Sequence, residues 1–228
     1  MPSFALIPGA GGSAWFWHRV TPLLAATGAT VIPIELPAGD DTADLNTYAD
    51  VVVQSVADVS GPLVLVGQSM GAFTAPIAAA RVPTALIVLV NPMVPTAGES
   101  GAQWWDNTGQ RAARIEYFHR IGLPREDFDE VEDFFHDVPE TVREEAFRQP
   151  EPQQSDTPFD QPWPLDAWPE VDTRVIAGSD DRLFPLDFQR RVVRERLGLE
   201  VAVMQGGHLM ALSRPQELAD RLTEFANF

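Results

Sequence analysis

A serine stands between two glycines in Gly67-Gln68-Ser69-Met70-Gly71, where the apolar run 62–67 gives way to a small-residue stretch, 72–80. Gly-x-Ser-x-Gly at a strand-to-helix junction makes a turn so sharp that flanking side chains would clash, and it lifts the hydroxyl off the sheet edge. There the Ser69 hydroxyl becomes a nucleophile if a base can take its proton. The chain has four histidines. His208, in "QGGHLM", follows the last apolar run and precedes the last helix, so its loop emerges at the same sheet edge as Ser69. His18, after Trp17, and His119 and His136, in the middle of the chain, read as surface or packed side chains. An imidazole base in turn needs a buried carboxylate to fix its tautomer and stabilise its positive form. "AGSDDRLFP" offers two, Asp180 and Asp181.

A second glycine-rich turn, "LIPGAGGSAWFW" over 6–17, follows the first apolar run. Read as Gly9-x-Gly11-x-x-Ala14, it fits a loose dinucleotide fingerprint, with Glu35 placed as a ribose-binding acid would be. The same turn can instead aim a backbone N–H at an oxyanion. The dinucleotide reading leaves Ser69, His208 and the acid loop unexplained, and it puts Trp15 and Trp17 at a helix start where close packing is wanted.

Composition removes several chemistries. All 16 basic residues are arginine, so Schiff-base catalysis and every mechanism that needs a lysine are closed. With no cysteine, disulfides, thiolate catalysis and Cys-ligated zinc are excluded. A formal net charge of -17 disfavours nucleic acid and anionic membrane as partners, since both need clustered positive charge. The N-terminus lacks the charged and apolar regions of a signal peptide, and no apolar run approaches the roughly 20 residues of a membrane span. A cytoplasmic protein acting on a small molecule is expected; the acidity carries no reading of oligomeric state.

The elements that must position these residues are legible as short apolar runs: 4–8, 30–36, 62–67, 85–91, 174–178 and 200–206. Continuous and rich in Val, Ile and Leu, they predict strands of a parallel sheet buried on both faces. Helices starting near Thr47 and after Pro215 complete an α/β alternation with right-handed crossovers. The rhythm breaks between 93 and about 173, where helical stretches are predicted over 102–121, 127–136 and 139–148. A proline-dense tail follows, expected to run extended over the surface. The organisation expected is one domain, with core segments 1–92 and 171–228 and an insertion over 93–170.

The strand–GQSMG–helix unit, the "GSDDRLFP" loop and the "GGH" before a final helix resemble the α/β-hydrolase family over nearly the whole chain. The resemblance implies a mostly parallel central sheet flanked by helices, with the insertion as a helical lid before the acid-bearing strand. It selects Asp181 as the acid, three residues after Gly178 and four before Pro185, and leaves Asp180 as a neighbouring loop carboxylate. The alternative acid position, after the preceding strand, holds Asn91. The resemblance also resolves the glycine-rich turn, which becomes an oxyanion loop with the N–H groups of Ala10 and Met70 as donors. Gly11 then keeps the substrate path open. Pro8 stands where the family pattern has a histidine.

The compact start and "GGSAWFW" are similar to the branch of methylesterases and hydroxynitrile lyases. The lyases of that branch depend on a lid lysine, which this chain lacks. The resemblance thus implies an esterase working through Ser69, His208 and Asp181 on a small or medium apolar carboxylic ester, without metal or organic cofactor. Trp104 and Trp105 are candidate pocket residues, with a packing role as the plain alternative. A non-catalytic small-molecule binder of the same fold is the alternative function.

Overall fold

The computed structural model describes residues 1–227, built on six parallel strands in the order β2-β1-β3-β4-β5-β6. The strands are β1 (Ser3–Ile7), β2 (Thr30–Pro33), β3 (Leu63–Gln68), β4 (Leu86–Val90), β5 (Thr173–Gly178) and β6 (Val201–Met204). Successive side chains of a strand point to opposite faces, and residues 4–7 of β1, 63–66 of β3 and all of β4 are apolar without a break for that reason. Ala5, Ile7, Leu63, Leu65, Ile87 and Leu89 pack into the core on one face. Their alternates, Phe4, Leu6, Val64, Val66, Val88 and Val90, pack into the core on the other. The edge strands β2 and β6 are only part-buried.

All six apolar runs became strands, but both edges are shorter than predicted. β2 ends at Pro33, which has no N–H for the ladder, and the chain then turns as Leu36 N–H donates to the Gly12 carbonyl. β6 stops at Met204, before the glycines that carry His208.

Helices α1 (Thr21–Ala26), α2 (Leu45–Ser55) and α3 (Gly71–Ala79) follow the first three strands. A short 3-10 turn, Ala14–Trp17, precedes α1. Asp44 caps α2 by accepting from Thr47 N–H, which satisfies one of the free donors at the helix start. Every residue of α3 is buried, so its small side chains let the helix lie close against the sheet beneath it.

Between β4 and β5 come α4 (Gly101–Thr108), α5 (Gln110–Arg120), α6 (Glu130–Phe134), α7 (Glu140–Ala146) and α8 (Thr157–Asp160). The helix predicted over 102–121 is two helices, because Gly109 takes a left-handed φ of 66° that ends one and starts the next. The stretches 127–136 and 139–148 contain α6 and α7. The proline-rich tail departs from expectation. It forms α8 and sinks Trp163 into the core, with Trp163 Nε1 donating to the Phe73 carbonyl at 3.0 Å.

Charged pairs tie this region together. Arg114 Nε and Nη2 donate to the two Asp133 carboxylate oxygens at 2.5 and 2.9 Å, and the remaining guanidinium N–H groups reach the carbonyls of Glu126 and Asp127. Both side chains are almost fully buried, so each depends on the other to offset its lost hydration. The chain closes with α9 (Leu186–Leu197), α10 (Met210–Ser213) and α11 (Pro215–Phe225).

Candidate active site

Four loops at the C-terminal ends of β1, β3, β5 and β6 bring the predicted residues to one edge of the sheet, and a fifth, after β4, links two of them. β3 runs through Gln68 straight into Ser69, whose φ of 51° lies in the left-handed region that side chains rarely occupy. The flanking glycines explain how the turn closes. A Cβ at Gly67 would sit 2.7 Å from the Gly71 carbonyl oxygen, and one at Gly71 would sit 2.8 and 2.9 Å from the carbonyl oxygens of Pro8 and Ile7. Those are backbone atoms of buried residues and cannot yield cheaply. Main-chain bonds lock the strained residue: Ser69 N–H donates to the Val90 carbonyl, and Met93 N–H to the Ser69 carbonyl, each at 3.0 Å.

On the other side, His208 Nδ1 lies 2.9 Å from Asp181 Oδ2, and both side chains are almost completely buried. The second carboxylate oxygen of Asp181 accepts the N–H groups of Leu183 and Phe184 at 2.9 and 2.8 Å. With Oδ1 taken by the two backbone donors, Oδ2 accepts Nδ1–H, and in that tautomer Nε2 carries the free lone pair. Of the two acidic candidates, Asp181 is therefore the one on the imidazole. Asp180 serves the loop, accepting from the Ser179 hydroxyl and Gly206 N–H. The His208 ring is walled by Phe184 at 4.9 Å and Phe134 at 5.2 Å between centroids.

The glycine-rich turn after β1 packs on the elbow. A Cβ at Gly9 would stand 3.0 Å from Ser69 Cβ, so only glycine lets the two loops meet. Among the described residues, neither Ala10 N–H nor Met70 N–H donates to a protein acceptor. The exposed Glu35 carboxylate receives Ala14 N–H at 2.6 Å. Gly11 N–H is held by Gln154 Oε1 at 2.9 Å, while Gln154 Nε2 donates to the Ser155 carbonyl. The turn that Pro8 cannot brace with a side chain is thus braced from the insertion.

Two residues tie the acid and histidine loops together, and sequence reading had given neither a role. Asn91, at the end of β4 with φ 45°, donates through Nδ2 to the carbonyls of Gly207 and His208 at 3.0 and 3.1 Å. Its Oδ1 accepts Gly178 N–H at 2.8 Å. Gln189 Nε2 reaches the Phe184 carbonyl at 2.7 Å and Asp181 Oδ2 at 3.4 Å. The sequence signal for Asn91 was its place at the alternative acid position, noted only for lacking a carboxylate.

The two tryptophans separate. Trp104 is wholly buried, its indole N–H donating to the Val94 carbonyl at 2.9 Å, and it packs against Phe184 and Phe188. It is a packing residue. Trp105 lines a cleft of about 570 Å³ together with Gln110, Arg111, Phe128, Phe134 and Leu183. Phe134 and Leu183 connect that cleft to the His208–Asp181 pair. His18 stacks on Trp15 at 4.4 Å, and His119 is exposed at the end of α5, as packed and surface readings require. No helix among the described residues is long and apolar enough to cross a membrane.

The model of the alpha/beta hydrolase family matches residues 4–221, and the chain belongs to that family. Methylesterase 3 of Arabidopsis thaliana is 24% identical over 250 residues, covering 97% of this chain and 95% of that protein. Among solved structures, polyneuridine aldehyde esterase superposes with a TM-score of 0.80 at 19% identity, over 100% of both chains. A pyrethroid hydrolase from Sphingobium faniae JZ-2 superposes with a TM-score of 0.75 at 23% identity, over 100% of this chain and 98% of the other.

Proposed function

We propose that the protein hydrolyses a small or medium apolar carboxylic ester through an acyl-enzyme on Ser69. The observation that carries this reading is the buried His208 Nδ1–Asp181 contact at 2.9 Å, on the sheet edge where the strained elbow presents Ser69. In the first half-reaction Ser69 Oγ attacks the ester carbonyl carbon and its proton passes to His208 Nε2. The tetrahedral oxyanion takes the unclaimed N–H groups of Ala10 and Met70, and Asp181 stabilises the imidazolium without accepting its proton. Collapse breaks the C–O bond, and His208 returns the proton to the departing alcohol. In the second half-reaction His208 takes a proton from water, the hydroxide adds to the acyl carbon, and Ser69 leaves with that proton to free the acid.

Residues 93–170 act as a lid. Phe134 from that segment lies over the His208 ring, and Trp105 lines the adjoining cleft, so an apolar substrate group would be received between lid and core. The likeness to a methylesterase makes methyl esters the first substrates to try. Turnover of methyl and p-nitrophenyl esters of graded acyl length, by wild type and by Ser69→Ala, tests the reading. Saturable hydrolysis that Ser69→Ala abolishes supports it. Saturable binding with no hydrolysis and no covalent acylation of Ser69 would make the protein a binder of the same fold.

A further inference from the structure

The main chain that presents His208 is held from both ends, and one of the holds comes from the insertion. Asn91 takes the carbonyl of Gly207 from the core side. From the opposite side Asp137, three residues beyond α6, takes the N–H of the same residue: Gly207 N–H donates to Asp137 Oδ2 at 2.7 Å. The fit is tight. A Cβ at residue 207 would stand 2.6 Å from Asp137 Oδ1 and 2.7 Å from His136 Cε1, so glycine is what lets the carboxylate close on the backbone.

His136 and Asp137 are both part-buried where they pack against the histidine loop. The same short stretch also supplies Phe134, whose ring lies against His208. The insertion therefore touches the imidazole on its face and its main chain one residue upstream.

We propose that Asp137 is a positioning residue, which holds Gly207 and through it sets the place of His208 relative to Ser69 and Asp181. The hold works as a hydrogen bond and not as a charge: a neutral acceptor of the same shape suffices. It makes the geometry of the base depend on the seating of the insertion, so a lid displaced from the core loosens the histidine as well as opening the site. This inference rests on the reading of His208 as the base.

The test compares Asp137→Ala with Asp137→Asn. Two readouts are used, ester turnover and the downfield Nδ1–H proton resonance of His208, which His208→Ala assigns. Asp137→Ala is expected to lower kcat by about 10- to 100-fold, the scale of a small misplacement of a catalytic group, with KM changed less than about threefold. Its His208 resonance broadens or disappears. Asp137→Asn is expected to keep both kcat and the resonance near wild type. An Asp137→Ala protein with wild-type kcat and an intact resonance overturns the proposal. So does an Asp137→Asn protein as impaired as Asp137→Ala, because the hold would then be electrostatic. If wild type hydrolyses no ester, the underlying reading fails; the resonance alone still decides whether Asp137 holds the ring, and its persistence in Asp137→Ala overturns that hold.

Discussion

Ser69 and His208 stand on loops at the same edge of the sheet but are held in place by different forces. The serine is positioned by sterics. Its φ is strained, its flanking glycines are packed against backbone oxygens, and the bonds that fix it are main-chain bonds between neighbouring strands. The histidine is positioned by side chains from distant parts of the chain: Asp181 on its ring, Asn91 and Asp137 on its loop, Gln189 behind the acid. The steric half is set once the sheet forms and has no alternative arrangement. The hydrogen-bonded half has parts that can be removed singly, so it is where graded losses belong.

Asp181→Asn tests the hydrogen-bonded half most severely. An amide at this place favours the wrong imidazole tautomer, and kcat should fall by about 10⁴ with the geometry otherwise kept. Steady-state turnover at saturating ester measures it. Gly71→Ala strikes the steric half. Its Cβ meets the carbonyls that feed the oxyanion loop, so a loss of about 10²–10³ in kcat is expected together with a lowered Tm. Near-wild-type activity with unchanged Tm would show that the elbow is less constrained than the contacts demand.

Asn91→Ala should have a smaller effect, about 10- to 100-fold in kcat, because the His208 ring keeps Asp181 while the tethers to Gly207, His208 and Gly178 are lost. A drop as large as that of Asp181→Asn would mean that these loop tethers matter as much as the carboxylate on the ring. The smallest effect concerns His136, and it is one of stability. Burial lowers its pKa from the ordinary 6.5, with Arg182 acting the same way against Asp137, Asp181 and Asp180. The unfolded chain therefore binds the proton more readily than the folded one. Stability is full above about pH 6.5 and declines as pH falls through the window down to the lower folded-state value. His136→Gln should flatten the fall in Tm across that window, leaving whatever slope the other groups produce.

The same division decides what the sequence disclosed. Strands buried on both faces write themselves as unbroken Val, Ile and Leu runs, so the inner four are legible to within a residue at each end, while the part-buried edges end well short of their runs. The elbow was legible because the steric demand for glycine is local, within five consecutive residues. The choice between Asp180 and Asp181 needed the spacing of a family pattern. Asn91, Gln189, Asp137 and Gln154 stayed hidden because each acts through hydrogen bonds to partners elsewhere in the fold, some more than a hundred residues away, and such bonds leave no periodicity. Trp104 stayed open between pocket and packing for a related reason. An aromatic in an insertion looks the same in sequence whether it faces a cavity or, as here, fills the core.

The most direct test of the account is whether Ser69 is an activated nucleophile that depends on His208. Intact-protein mass would be measured after incubation with a small organophosphonate ester, on wild type, Ser69→Ala and His208→Ala. The account predicts one adduct per wild-type chain, none on Ser69→Ala, and strongly slowed labelling of His208→Ala. Folded wild type that takes up no adduct, or His208→Ala labelled as fast as wild type, would contradict it.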